Sequence, residues 1–374
     1  MSLTIRKAES LEDLLAIAKL RYRVAIKELQ RDSEGIDHEQ ATLSDSFDKT
    51  AQHFVADADG ELVGAVRLNL GRDGPLPNAQ WFSLEKFNSF NPDQLSVTDR
   101  LVVQSEYRSG LVPGRLAMAC YEYGSIRDIE FDFVLTRPHL VSLYQQMGHR
   151  AYSHNVEHPK YGTMTPMTAV IRDTEFLKTI RSPFYRLARR LESNDLGKRY
   201  FETNFPEWAK VHPSSSLTEK QLWSQFGEAL SLDHPSGNDG FVSGLNREEI
   251  ARLLRSLTPL AFKKGEAIVK QGDIGQGLFV LLEGKALVQC ENAKSPNNLG
   301  ELGPGDLFGE MSFLNSAKRN ASVFALEDTR VVILTPQQFE KLKKVEPQLS
   351  LKILSNLFAT VAGRYDRLLS GSIS

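Results

Sequence analysis

Two cysteines in 374 residues, Cys120 and Cys290, are too few and too far apart for a disulfide framework or a four-ligand zinc site. They read as small core residues. No run approaches the roughly 18 apolar residues that cross a bilayer. The opening Met1-Ser2-Leu3-Thr4-Ile5-Arg6 lacks the apolar core of a signal peptide, so the cytoplasm is the expected compartment. Excess charge is missing too: a net charge of -2 gives no general attraction to nucleic acid or an anionic membrane, and neither is an expected partner. The local basic run from Arg186 to Arg190 reads as a solvated helix face. Residues 1–190 hold no nucleophile triad, metal-ligand cluster or Walker loop, and His53, His139, His149 and His154 are scattered as structural or exposed residues would be.

What is present is the composition of a globular chain, with 41% hydrophobic and 25% charged residues, and a length that favours two domains, each with its own core. Helical spacing of Leu14, Leu15, Ile17, Ala18 and Leu20 after Ser10 predicts a capped helix from Leu11 to about Gln30. Asp59-Gly60 between two apolar runs predicts an antiparallel hairpin. Further signals are a strand at Ser96 to Val103, a helix through Leu116 to Gly124, a strand at Phe131 to Leu135 and a proline-started helix from Pro138 to Met147. This alternation implies a mixed sheet with crossovers. The pattern loosens from about 189 to 240, the expected linker. Beyond a helix at Asn246 to Leu257, short strands alternate with glycine turns, the spacing of a small barrel or jelly roll. Helices at Gln337 to Lys344 and Gln348 to Leu369 close the chain.

A cyclic nucleotide carries one phosphate charge in a ring, a free ribose 2'-hydroxyl and a flat base. Phe308-Gly309-Glu310-Met311-Ser312, followed by Arg319-Asn320-Ala321-Ser322, supplies the complementary groups. Gly309 permits close backbone approach, Glu310 can accept from the 2'-hydroxyl, amides near Met311-Ser312 can face the phosphate, and Arg319 is a planar, permanently charged donor. Together with Phe262-Lys263-Lys264-Gly265-Glu266, Gln271-Gly272-Asp273, Leu278-Phe279-Val280 and Glu283-Gly284, this series resembles the cyclic-nucleotide-binding domain family of the catabolite activator and protein kinase regulatory-subunit type. The resemblance implies a cyclic nucleotide effector, cyclic AMP by family frequency, with nothing that excludes cyclic GMP. Lys318 and Asn320 depart from the family's usual neighbours of the arginine and leave that choice open.

In the amino-terminal half, Leu20-Arg21-Tyr22-Arg23-Val24, Gly64-Ala65-Val66-Arg67-Leu68, Asp99-Arg100-Leu101-Val102-Val103, Tyr107-Arg108-Ser109-Gly110 and Leu143-Tyr144-Gln145-Gln146-Met147-Gly148-His149 occur in an order that resembles the GNAT acyltransferase superfamily. Leu20-Arg21-Tyr22-Arg23 and Asp99-Arg100 look most like its branch of N-acyl amino acid synthases and acyl-homoserine lactone synthases. The resemblance implies that strands splay after the fourth and offer Leu101, Val102 and Val103 to the acyl donor, with Tyr144 as the acid that protonates the leaving thiolate. Asp99 or Glu106 would take the amine's proton, Asp99 being preferred. Counting from Arg108 puts Leu111 and Pro113 where the superfamily's diphosphate loop keeps small residues, with Gly110 and Gly114 displaced by one. A proline without an N–H weakens a nest of amide donors. Either the loop is rebuilt around Ser109, Gly110 and Gly114, or the donor comes on acyl carrier protein; Arg108 and Arg115 suit both.

The expectation is therefore an α+β two-domain chain. A GNAT-like mixed sheet with helices spans 1–188, a helical linker 189–240, and a β jelly roll with flanking helices 241–374. Its activity would be transfer of an acyl group from acyl-CoA or acyl carrier protein to an amine, on an amino acid or a lysine side chain, under cyclic nucleotide control. The alternative is a non-catalytic sensor in which the GNAT-like domain binds or docks. The final amphipathic helix can pair with a second copy or pack on its own barrel.

Overall fold

The computed structural model describes residues 2–29, 34–108, 110–159, 161–192, 194–210, 241–273, 277–292, 295–315 and 318–371. They divide into two units, one built from 1–136, 143–153 and 166–211, the other from 137–142, 154–165 and 212–374.

The first unit is built on a mixed sheet whose strands are β1 (Leu3–Lys7), β2 (Gln52–Ala58), β3 (Glu61–Leu70), β4 (Leu95–Val103), β5 (Phe131–Thr136), β6 (His149–Ala151) and β7 (Gly162–Val170, with 166–170 in this unit), in the order β1-β2-β3-β4-β5-β7-β6. β2 and β3 form the expected hairpin, and its turn residues Asp59 and Gly60 both take positive φ, 50° and 89°. A two-residue turn of that hand matches the twist of the flanking strands, which explains the Asp-Gly pair. The first helix, α1 (Leu11–Tyr22), is fixed by a reciprocal cap between Ser10 and Asp13. It ends earlier than its apolar spacing suggests, passing into a π-turn at Arg23–Glu28. α2 (Val112–Ser125) buries Val112, Leu116, Ala117, Cys120 and Tyr121, one helical face, against β3 and β4. Instead of one helix from Pro138, a single 3-10 turn at Pro138–Leu140 leads into α3 (Val141–Met147).

Two large buried clusters hold much of this unit together, beside a smaller one of Ile17, Leu20, Val24, Val55 and Ala65. One places Val63, Val66, Leu68, Val103, Leu116, Met147 and Phe184 between the sheet and α2. The other is aromatic: Phe82, Phe87, Phe90, Phe131, Phe133 and Tyr152 pack with Phe201 and Phe205. Those last two residues correct one boundary. Residues 196–209, expected as linker, form helices whose apolar side chains belong to this core, because an exposed Phe201-Phe205 pair would leave two large rings in water. The rest of the expected linker, 211–240, lies outside the described residues.

The second unit contains two four-stranded sheets. Its strands are β8 (Thr258–Phe262), β9 (Ala267–Val269), β10 (Leu278–Glu283), β11 (Ala286–Asn292), β12 (Ser295–Leu302), β13 (Leu307–Phe308), β14 (Ser322–Ala325) and β15 (Thr329–Leu334). The orders are β8-β15-β10-β13 and β9-β14-β11-β12, the jelly roll that the glycine-turn spacing predicts. Helices α4 (Arg247–Ser256), α5 (Pro336–Val345) and α6 (Pro347–Gly371) flank it. Ile250, Leu253, Leu254, Phe339, Leu342, Leu349, Ile353 and Leu357 from these helices pack on Leu278, Val280 and Val332 of the barrel.

Candidate functional site

In the barrel, a cavity of about 480 Å³ is lined by Phe308, Gly309, Glu310, Met311, Ser312, Arg319, Asn320 and Ala321, whereas Ser322 is not among its lining residues. That volume suits a nucleotide-sized ligand. Val269, Val288, Leu299, Leu302 and Val323 give it an apolar wall. Phe308 is seated by stacking on Phe279, centroids 5.1 Å apart.

Arg319 is the cation at its base, only 5% exposed. Its Nη1 donates to Gly309 O at 2.9 Å and its Nη2 to Gly277 O at 2.7 Å. Burial pulls this guanidinium down to about 10, while Glu310 and Asp273 act to hold it charged. Gly309 is required twice: its φ is +82°, and a Cβ there would sit 2.5 Å from Arg319 Nη1 and 2.9 Å from Gly277 O. Among the described residues, the cradle therefore holds a desolvated cation bonded to neutral carbonyls, an arrangement that an anion would complete.

Glu310 is buried at the head of the short helix Glu310–Asn315, and Arg364 Nη1 donates to its Oε1 at 2.7 Å. Arg364 also reaches Leu307 O and lines the cavity. Sequence reasoning missed it; the signal was its spacing from Ile353 and Leu357 on the barrel-facing side of α6. Ser312 Oγ donates to Lys318 O at 3.4 Å, while Met311 and Asn320 are exposed at the rim. Lys318 is exposed and is not among the lining residues.

In the first unit, β4 pairs in parallel with β5 from Leu95↔Phe131 to Val97↔Phe133, and that register then stops. Its other edge carries a bulge: Ala65 faces Val102 but Arg67 faces Asp99, which leaves an extra residue on β4. Arg100, within that bulge, has φ +52°. Bulge and splay free the second half of β4, Leu101 to Val103, from β5. Leu101 and Tyr107 share an apolar cluster with Leu143 and Tyr144 of α3.

Tyr144 is half-buried and meets His149 edge-on, centroids 5.4 Å apart. Burial, with Asp132 and Asp99 nearby, pushes its phenol above the usual range, so it stays protonated at neutral pH. Glu106 is exposed on a 3-10 turn and held below the usual carboxylate range by backbone and Ser105 hydrogen bonds. Arg108 donates through Nε to Val103 O at 2.8 Å and pairs with Glu28. Arg115 is exposed with a 3.3 Å bond to Leu3 O. Gly110 is exposed and Gly114 borders open space; Ser109 lies outside the described residues.

Asp99, the preferred base, is engaged elsewhere. Arg67 grips it bidentately, Nε to Oδ1 at 2.8 Å and Nη2 to Oδ2 at 2.7 Å, and Asn69 adds a third bond. Arg67 is 1% exposed and also binds Asp45 and Asp48. Arg21 chelates Asp48 at 2.8 and 2.9 Å, and Arg100 pairs with Asp45 at 2.7 Å. Burial alone would raise Asp45, yet Arg67 and Arg100 hold it down at about 2. Arg67 stays charged because Asp99 and Asp45 outweigh its own burial. Three arginines thus meet three aspartates in a charge-balanced, partly buried network, with Arg21 and Arg67 at its buried centre, that braces α1, the loop before β2, β3 and β4.

Two families match this chain. Residues 259–345 match the cyclic nucleotide-binding domain, and residues 20–118 match the acetyltransferase (GNAT) domain, so the chain joins one domain of each family. A cAMP-dependent protein kinase regulatory subunit of Dictyostelium discoideum is 28% identical over 148 residues, 38% of this chain and 42% of that protein. A cyclic AMP receptor protein of Thermus thermophilus is 35% identical over 122 residues, 32% of this chain and 55% of that protein. The chain thus spans about half the length of these curated relatives, or less. Among solved structures, the Thermus thermophilus catabolite activator protein matches at 33% identity and a TM-score of 0.32, covering 35% of this chain and 61% of that one.

Proposed function

We propose that this protein transfers an acyl group from a thioester donor, acyl-CoA or acyl carrier protein, to an amine, and that a cyclic nucleotide bound at Arg319 and Glu310 regulates the transfer. The observation that carries the regulatory half is the buried Arg319 cradle opening on a nucleotide-sized cavity. A cyclic phosphate would take the free side of that guanidinium, Glu310 would accept from the ribose 2'-hydroxyl, and the base would lie on the apolar wall. The relatives' names favour cyclic AMP over cyclic GMP.

For the transfer half, the splay beside Leu101 to Val103 receives the thioester, and Tyr144, kept protonated by burial, gives its proton to the departing thiolate. The half-buried apolar side chains of Leu101, Tyr107 and Leu143 favour an acyl chain longer than acetyl. An N-acyl amino acid synthase-like reaction fits this opening. The engaged states of Arg108 and Arg115, with Leu111 and Pro113 at the start of α2, favour a carrier-protein donor over a bare diphosphate. Release of free thiol from octanoyl-CoA and octanoyl-acyl carrier protein, with amino acids and lysine peptides as acceptors, tests the activity. The same assay with and without saturating cyclic AMP or cyclic GMP tests the control. A rate unchanged by either nucleotide removes the regulatory claim.

The locked state of Asp99 favours a second reading, a sensor whose GNAT-like domain binds or docks without catalysis; absence of thiol release with every donor would select it. On α6, Leu351, Phe358 and Tyr365 are exposed at seven-residue intervals, the seam of a helix pair, which supports a homodimer of this chain.

A further inference from the structure

Where β4 leaves β5, the fold gathers polar groups that the reading above does not use. Asp132 on β5 accepts from Ser96 Oγ at 2.7 Å and Thr98 Oγ1 at 2.8 Å, both on β4. His149, the first residue of β6, is 3% exposed and holds Nε2 3.6 Å from Asp132 Oδ2. Neither of its ring nitrogens has a hydrogen-bond partner among the described residues. Its ring meets Tyr144 edge-on at 5.4 Å and Phe184 at 6.3 Å. The other titratable groups around this spot are Cys120 on α2, whose thiol burial and Asp132 push up, and Asp99 on β4, whose charge Arg67 takes.

A buried imidazole whose two nitrogens have no partner among the described residues is costly to a fold, because each has given up its bonds to water without replacing them. A phenylalanine would fill the same space without that cost. What the imidazole adds is a nitrogen that can accept a proton and, 3.6 Å away, a carboxylate that steadies the resulting cation. Both lie beside the tyrosine already placed as the acid.

We propose that His149, backed by Asp132, is the base of the acyl transfer, in the place the sequence suggests for Asp99. The inference rests on the acyltransferase reading. The amine nitrogen attacks the thioester carbonyl carbon, a C–N bond forms, and the C–S bond breaks. The proton leaving the amine passes to His149, and the thiolate sulfur takes the proton of Tyr144. The imidazolium then returns its proton to the phenolate, directly or through water, so that amine and thioester have become amide and thiol with both side chains restored.

The test uses the full chain and free-thiol release with octanoyl-CoA and octanoyl-acyl carrier protein. In His149→Gln, kcat should fall about 100-fold or more with the donor KM within threefold, the size expected for loss of a general base. In Asp132→Asn, kcat should fall about tenfold and the acidic limb of kcat/KM should move to lower pH, because removing the anion disfavours the imidazolium. Imidazoles added to His149→Gly should restore part of the rate in proportion to their basicity, which a packing role would not produce. An active wild type whose His149→Gln and Asp132→Asn variants keep their rate within threefold and an unmoved profile overturns this inference alone. A wild type inert with both donors overturns the acyltransferase reading together with it.

Discussion

Replacing Gly309 by alanine adds one carbon atom where backbone and cation meet. The backbone there has φ +82°, a region that costs an L-residue about 1–2 kcal/mol. The new Cβ would lie 2.5 Å from Arg319 Nη1 and 2.9 Å from Gly277 O. A flexible side-chain end can yield, but this guanidinium is bonded at both ends to carbonyls and cannot move without breaking its 2.9 Å bond to Gly309 O. Stability should therefore fall by about 1–2 kcal/mol, lowering the melting temperature of the barrel by about 3–10 °C. Nucleotide affinity should fall further than stability implies. Misplacing one charge-assisted phosphate contact costs about 1.5–3 kcal/mol, or about 10- to 100-fold in Kd. Isothermal titration calorimetry with cyclic AMP, beside a thermal melt of the unliganded protein, separates the two effects. A Gly309→Ala protein that binds within threefold of wild type would refute the claim that the glycine exists to seat Arg319.

Asp99→Asn should cost the first unit about 3–5 kcal/mol, because it leaves Arg67 buried with less than its full countercharge; activity per folded molecule should survive better than stability does, as read by kcat beside a chemical melt. Asp45 is held at about 2, below its unfolded value near 3.8, so its contribution, on the order of 2 kcal/mol, is present above pH 4 and is lost as pH falls through 2. Asp45→Asn should flatten that part of an acid-unfolding profile followed by circular dichroism. Arg364→Gln should free Glu310 and shrink the affinity difference between cyclic AMP and 2'-deoxy cyclic AMP, measured by competition, since Arg364 orients the carboxylate that would read the 2'-hydroxyl. Phe358→Glu should leave nucleotide binding intact while moving the chain to monomer mass in light scattering, because that ring is 65% exposed on the outward seam of α6.

The barrel was legible because its signals are local. Its glycine turns recur at short intervals, and Gly309, Glu310 and Arg319 lie within eleven positions, so their chemistry and the family resemblance could be read from one short stretch, and the fold gathers all three around one cavity. Arg364 escaped because it follows the cassette by dozens of residues and reaches Glu310 only once α6 folds back on the barrel. The same rule divides the first unit. Asp59-Gly60 announced its hairpin, whereas Phe201 and Phe205 looked like linker because nothing adjacent reveals that Phe87 and Phe131 wait for them. Asp99 stood out beside Arg100, but its availability as a base depends on Arg67 and Asn69, which a strand bulge brings across from β3. His149 read as one of several scattered histidines; only the order β5-β7-β6 sets it against Asp132, with Ser96 and Thr98 from β4 closing on the same carboxylate. Pairing across strands occupies the carboxylate chosen for its sequence neighbourhood, and it sets beside Asp132 a histidine to which the sequence assigned no role. Where two strands of a sheet part, the groups gathered at that edge come from several strands, and pairing register identifies them better than proximity along the chain.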